Sequence, residues 1–185
     1  MKKIFHPLME NNITNDDTNY LIKFIKRNKQ RIYTQSNQVK IFEKKWSNWL
    51  GCKYSVFVNS GSSANLLSIL ALKILYGKGE IIVPTLTWIS DIASVIQNGF
   101  KPVFVDINPT TLCMDNDQII KKINKKTKAV FITHAQGFNG LSYDLLKYLK
   151  KKKIHLIEDV CESHGAKFKQ KKLGTFGIMS NFSFY

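Results

Sequence analysis

From Gly51 onward, short apolar runs alternate with helix-length stretches, and that alternation leaves few folds open. Runs of strand length occur at Tyr54–Val58, Glu80–Val83, Pro102–Val105, Lys128–Thr133 and His155–Ile157. A sixth is expected near Ser180–Tyr185. Helical spacing fills the gaps at Ser62–Leu75, Ile89–Gln97, Asn116–Ile123 and Leu141–Lys150. Strands that take turns with helices form βαβ units around a largely parallel sheet. The runs are apolar without alternation, as strands are when helices cover both faces. The expected class is therefore α/β, a mostly parallel sheet with helices on both faces. In such sheets ligands bind just beyond the carboxyl ends of the strands.

The first fifty residues read as a separate helical segment, 1–50, ahead of an α/β domain over 51–185. Thr14 and Asp17 have the spacing of a capping box, with Asp in the acidic position. Leu21, Ile22, Phe24 and Ile25 follow on one face. A second helix is predicted from Asn37 to Leu50, with Val39, Phe42, Trp46 and Trp49 at helical spacing and Gly51 as its stop.

The net charge is +15, from 28 basic and 13 acidic residues. A basic excess suggests nucleic acid or an anionic surface. Only Arg27 and Arg31 are arginines, however, and arginine is the residue that grips phosphates and bases bidentately. The lysines are spread along the chain, so neither nucleic acid nor membrane is expected as a partner. No stretch is long and apolar enough for a span, and no apolar segment follows Lys2 and Lys3 to make a signal peptide. Cys52, Cys113 and Cys161 are odd in number and lack CxxC spacing, which fits reduced thiols in a cytoplasmic protein.

The strand ends hold the chemistry. Asn59-Ser60-Gly61-Ser62-Ser63-Ala64 opens a helix, so Ser62 and Ser63 either cradle a phosphate or are ordinary cap residues. Trp88, after Pro84-Thr85-Leu86-Thr87, either stacks on a flat ring or packs in a core. His134 and Gln136 either face a ligand or serve structure. The stretch Glu158-Asp159-Val160-Cys161-Glu162-Ser163-His164 is the densest. It reads as a loop with a solvated Glu158 and a capping Asp159, as a metal site without a defensible spacing, or as a buried Asp159 awaiting a protonated ring nitrogen.

In order, these segments resemble the DegT/DnrJ/EryC1/StrS sugar aminotransferase family. The resemblance rests on Asn59–Ala64, Val83–Trp88, Pro102–Ile107, Ile157-Glu158-Asp159, and Gly174-Thr175-Phe176-Gly177 leading to Phe182-Ser183-Phe184-Tyr185. It implies part of the large domain of an aspartate-aminotransferase-like (fold type I) enzyme using pyridoxal 5'-phosphate or pyridoxamine 5'-phosphate. Ser62, Ser63 and Ser183 then hold the cofactor phosphate, Trp88 stacks on its ring, and Asp159 pairs with the ring nitrogen. Glu162 stands where aminotransferases of the family carry Gln or His. The resemblance sets it among the cofactor-binding residues, near the ring oxygen, and an acid there resembles the branch that removes the 3-hydroxyl of a nucleotide-linked 4-keto-6-deoxy sugar. Transamination of such a sugar is the alternative.

The family's cofactor-linking lysine, or the histidine that replaces it in the dehydratases, lies a few positions beyond the Phe-Ser-Phe-Tyr segment. This sequence stops at Tyr185. The resemblance thus implies a part of a longer enzyme, homodimeric when complete, with no catalytic residue and no small C-terminal domain in this stretch. A non-catalytic remnant is the further alternative. Lys167, Lys169, Lys171 and Lys172 flank an expected turn over Gly165–Gly174 and are read as solvated.

Overall fold

The structure, a computed structural model, describes residues 12–27, 29 and 32–184. The chain divides into two compact units, Met1–Phe42 and Glu43–Tyr185.

In the first unit, α1 spans Asn15–Arg27. Its capping box is formed as expected. The Asp17 N–H donates to Thr14 Oγ1 at 3.2 Å, and the Thr14 N–H donates to Asp17 Oδ2 at 2.8 Å. Helix α2 spans Asn37–Leu50 and stops at Gly51, whose φ of 89° admits the left-handed turn that ends a helix.

The second unit is built on helix α3 (Gly61–Tyr76), strand β1 (Glu80–Pro84), helix α4 (Ile89–Gln97), strand β2 (Lys101–Val105), helix α5 (Asn116–Lys122), strand β3 (Thr127–Thr133), helix α6 (Tyr143–Lys152) and strand β4 (His155–Asp159). A short hairpin of β5 (Lys167–Phe168) and β6 (Lys171–Lys172) follows, and then strand β7 (Met179–Asn181). The main sheet has the order β2-β1-β3-β4-β7, with every pairing parallel.

Side-chain alternation divides the sheet between two cores. Ile81, Val83, Ala129, Phe131 and Ile157 pack with Ile69 and Leu72 of α3 and Val95 of α4. Ile82, Val130, Ile132 and Leu156 pack on the other face with Ile119 of α5 and Leu145 and Leu149 of α6. Helices therefore cover both faces, and each run is apolar because each face is a core.

Two expectations need correction. Tyr54–Val58 is not a strand: it runs as irregular chain, with Tyr54 76% and Val56 79% exposed. An apolar run reports what a strand could bury, not whether a neighbour pairs with it. Here the Phe57 N–H, which a ladder would use, donates at 2.8 Å to the Glu43 carboxylate. The last strand is Met179–Asn181 rather than Ser180–Tyr185. Its register is set upstream, where Gly177 lies so close to β4 that a Cβ would come within 2.4 Å of Leu156 O.

Candidate functional site

The chain leaves β1 to form β2 on one side and returns to form β3 on the other, so direction reverses between β1 and β3. A crevice opens at such a switch point, at the carboxyl ends of the strands. Three strand-end loops and the start of α3 meet there.

The start of α3 is built from small residues. Ser60 caps it, its hydroxyl oxygen accepting the Ser63 N–H at 3.1 Å. The Gly61 and Ser62 N–H groups belong to the first turn, where a helix has no internal acceptor to offer. Ser62 is exposed and Ser63 half-buried. Ser183, just beyond β7, closes against this turn: a Cβ at Gly61 would lie 3.1 Å from Ser183 Cβ and 3.4 Å from its Oγ. Glycine thus lets Ser183 join Ser60, Ser62 and Ser63 at the positive end of a 16-residue helix, a setting for an anion.

Asp159 ends β4 and is only 4% exposed. Its Oδ1 accepts the Cys161 N–H at 2.9 Å, and its Oδ2 lies 3.3 Å from Asn65 Nδ2. Among the described residues no cation forms an ion pair with it. A buried anion without a cation is costly, so this carboxylate suits a cationic ligand. Burial, and then the Asp159 charge, hold the Cys161 thiol far above its ordinary range. Burial lowers the His164 pKa, against an upward pull from Asp159.

Trp88 precedes α4, directly after Thr87, and is 70% exposed, so its ring is not a core element. Glu162 is exposed and accepts from the Gln136 N–H at 3.0 Å, with Gln136 Nε2 at 3.4 Å. Gln136 holds a φ of 53° to make that contact.

His134 takes the structural role. It is fully buried, its Nε2 sits 3.1 Å from Glu158 Oε2, and its Nδ1 accepts the Gly140 N–H at 3.1 Å. Glu158 is the correction at this site: it is not solvated but 0% exposed. Beside His134, it accepts the N–H groups of Gly174, Phe176 and Gly177 at 2.7–2.8 Å. Burial pushes its pKa up, but the His134 hydrogen bond and charge and these N–H groups outweigh it, and the net shift is downward. With its oxygens so engaged, Glu158 has no share left for a metal. Among the described residues no group of three or more ligating side chains converges. The β5–β6 hairpin lysines are surface groups: Lys171 lies over Phe176, Lys172 over Trp49, and Lys169 over Tyr143.

Sequence reasoning missed the polar floor of the crevice. Asp91, in the first turn of α4, is 0% exposed. Its Oδ1 accepts from Asn65 Nδ2 at 2.6 Å, while its Oδ2 lies 2.5 Å from Thr87 Oγ1 and 2.7 Å from Thr133 Oγ1. Burial, and then the neighbouring Asp159 charge, push Asp91 up to about 8. The signal was available: Asp91 stands four residues before the core residue Val95, on the same inward helical face.

Residues 11–185 match the DegT/DnrJ/EryC1/StrS aminotransferase family. The chain belongs to this family. GDP-4-keto-6-deoxy-D-mannose 3-dehydratase of Yersinia pseudotuberculosis is 37% identical over 191 residues, 99% of this chain and 48% of that protein. GDP-perosamine synthase of Escherichia coli O157:H7 is 36% identical over 154 residues, 83% of this chain and 42% of that one. Among solved structures, E coli GDP-4-keto-6-deoxy-D-mannose-3-dehydratase with bound hydrated PLP superposes with a TM-score of 0.89 at 34% identity, over 98% of this chain and 47% of that one. This family member thus spans about half the length of these relatives. Its mostly parallel sheet between two helical layers is the fold of that structure.

Proposed function

We propose that this chain forms the cofactor-binding part of a pyridoxal phosphate-dependent enzyme acting on a nucleotide-linked 4-keto-6-deoxy sugar. The observation that carries the reading is Asp159, a buried carboxylate with no cation paired to it among the described residues, at the floor of a crevice whose rim holds Trp88. The remaining residues fit the cofactor's other parts. The first turn of α3, with Ser62, Ser63 and the Ser183 hydroxyl beside Gly61, suits the phosphate. The Trp88 face suits the pyridine ring.

When bound, the cofactor supplies an electron-accepting ring for chemistry beside a sugar ketone. The chain's own residues bind and tune it. Asp159 keeps a proton on the ring nitrogen by offering the opposite charge. Trp88 covers one ring face and excludes water from it. Glu162, held by the Gln136 N–H, sets a carboxylate at the rim.

That carboxylate favours removal of the 3-hydroxyl over transamination, and the dehydratase relatives agree with the choice. Transamination remains the second reading, supported by relatives named as GDP-perosamine synthases at similar identity. The same reading makes the protein cytoplasmic, a participant in deoxysugar formation for lipopolysaccharide O-antigen, and a homodimer. Exposed Leu67 and Ile74 on α3 and Ile89 and Ile96 on α4 give the dimer an apolar surface.

Titration with pyridoxamine 5'-phosphate tests the cofactor reading. The amine form is the suitable probe, because an aldehyde would also condense with the chain's many lysines. Saturable binding that Asp159→Asn weakens tenfold or more, on the order expected when a charged hydrogen bond is lost, supports it. No uptake by the unsubstituted chain overturns it and favours the non-catalytic remnant. Incubation of the cofactor-loaded protein with a GDP-linked 4-keto-6-deoxy sugar separates the two reactions by product mass.

A further inference from the structure

Three oxygens at the switch point form a closed triangle. Asp91 Oδ2 lies 2.5 Å from Thr87 Oγ1 and 2.7 Å from Thr133 Oγ1, and the two hydroxyls lie 2.7 Å from each other. Each edge is a hydrogen-bond distance, so each needs a hydrogen. The two threonines supply one hydrogen apiece. The third has one source within the triangle, the Asp91 carboxyl.

The surroundings agree. Asp91 is fully buried and, among the described residues, forms no ion pair. On its other side, Asn65 Nδ2 lies 2.6 Å from Asp91 Oδ1 and 3.3 Å from Asp159 Oδ2, so one amide nitrogen bridges two carboxyl groups. Two buried carboxylates this close, with a neutral amide between them, do not both ionise. Asp159 has a backbone N–H on its free oxygen, a partner that favours the anion. Asp91 has two hydroxyls, which can accept as readily as they donate.

We propose that Asp91 is a positioning residue, a neutral carboxylic acid whose proton closes the ring with Thr87 and Thr133 and leaves Asp159 as the one buried anion facing the cofactor's ring nitrogen. The role follows from placement. Thr87 adjoins Trp88, Thr133 ends β3, and Asn65 ties Asp91 to Asp159. A second negative charge at Asp91 would repel Asp159 and drive a proton onto it, and Asp159 would no longer hold the pyridinium. The cofactor part of this proposal rests on the function proposed above.

Infrared difference spectroscopy on the chain without cofactor, comparing the unsubstituted protein with Asp91→Asn near neutral pH, tests the proton directly. A protonated-carboxyl carbonyl band that shifts in deuterium oxide and vanishes in Asp91→Asn is expected, and its absence from the unsubstituted chain overturns the proposal. Pyridoxamine 5'-phosphate titration tests the role. Asp91→Asn, isosteric with the neutral acid, should bind within about threefold of the unsubstituted chain, and Asp91→Ala about tenfold or more weakly, because buried polar groups lose their partner. Equal binding by Asp91→Ala, or a loss in Asp91→Asn as large as in Asp91→Ala, overturns the role. If Asp91→Ala does not fold, Thr133→Val takes its place: it opens the triangle and should shift the infrared band, and an unmoved band overturns the ring. A chain that binds no pyridoxamine 5'-phosphate removes the cofactor function and the role together, while the infrared band still decides the proton alone.

Discussion

Asp91 and Asp159 share one amide nitrogen: Asn65 Nδ2 stands 2.6 Å from the first carboxyl and 3.3 Å from the second. Removing that donor while keeping the volume, as in Asn65→Leu, leaves two buried carboxyls short of a partner. The expected loss is about 1–3 kcal/mol of unfolding free energy. Urea denaturation followed by circular dichroism measures it, and a loss below about 0.5 kcal/mol would show that the bridge is not needed.

Asp91 also sets a pH signature. Its pKa is raised from 3.8 to about 8 in the folded chain. Between those values the native state keeps a proton that the unfolded state has released. The stabilisation is therefore full below the ordinary carboxylate range and is lost as pH rises through about 8. Stability should fall by up to about 1.4 kcal/mol per pH unit over that window from this group alone. Denaturation of the unsubstituted chain and Asp91→Asn at several pH values isolates the slope, since the lowered pKa values of Glu158, His155 and His164 affect both proteins alike. A difference that does not change with pH would contradict it.

Glu158 and His134 form a buried pair that anchors the 174–177 segment. Glu158→Ala strands His134 Nε2 and three backbone N–H groups. A cost of about 3 kcal/mol or more is expected, since each buried donor left without an acceptor costs about 1–3 kcal/mol. Hydrogen exchange should show the extra mobility first in residues 174–183, and uniform destabilisation of all strands would argue against a local anchor.

Trp88 gives the opposite expectation. Being largely exposed, it can be lost with a stability change within about 0.5 kcal/mol. The same Trp88→Ala change should abolish most of the fluorescence quenching by pyridoxamine 5'-phosphate. Trp46 and Trp49 pack against each other at 4.6 Å and make an internal reference. Quenching that survives the substitution would place the ring elsewhere.

The apolar faces of α3 and α4 should drive self-association. Sedimentation velocity is expected to show dimers, with Ile74→Lys shifting the distribution toward monomer. A monomer at all concentrations would remove the dimer proposal.

Much of the frame was legible because period and punctuation agree with it. Helix α4 falls where the spacing put it, at Ile89–Gln97, and strands β1 to β4 lie within two residues of the apolar runs. Tyr54–Val58 misled because an apolar run carries no information about its partner. Glu158 misled for a related reason. A carboxylate next to a loop looks solvated in one dimension, and its donors, Gly174 to Gly177, come from a distant part of the chain. Asp159, Trp88, Ser62 and Ser63 stood out in the sequence through their places after apolar runs, although the run before the two serines forms no strand. Asp91 was passed over despite its spacing to Val95, since a polar residue in a first helical turn has an ordinary explanation as a dipole partner.

The Glu158 carboxylate touches only main-chain N–H groups in the segment it holds. Side chains there are invisible to it, so Phe176 can be exchanged for another residue without loosening the anchor. Proline cannot be accepted at 174, 176 or 177, because each position must lend its amide hydrogen. Freedom from the anchor is therefore confined to 176, where imino acids alone are excluded, while 174, at a φ of 87° with a Cβ 2.6 Å from Phe182, and 177, with a Cβ 2.4 Å from Leu156 O, are held to glycine as well.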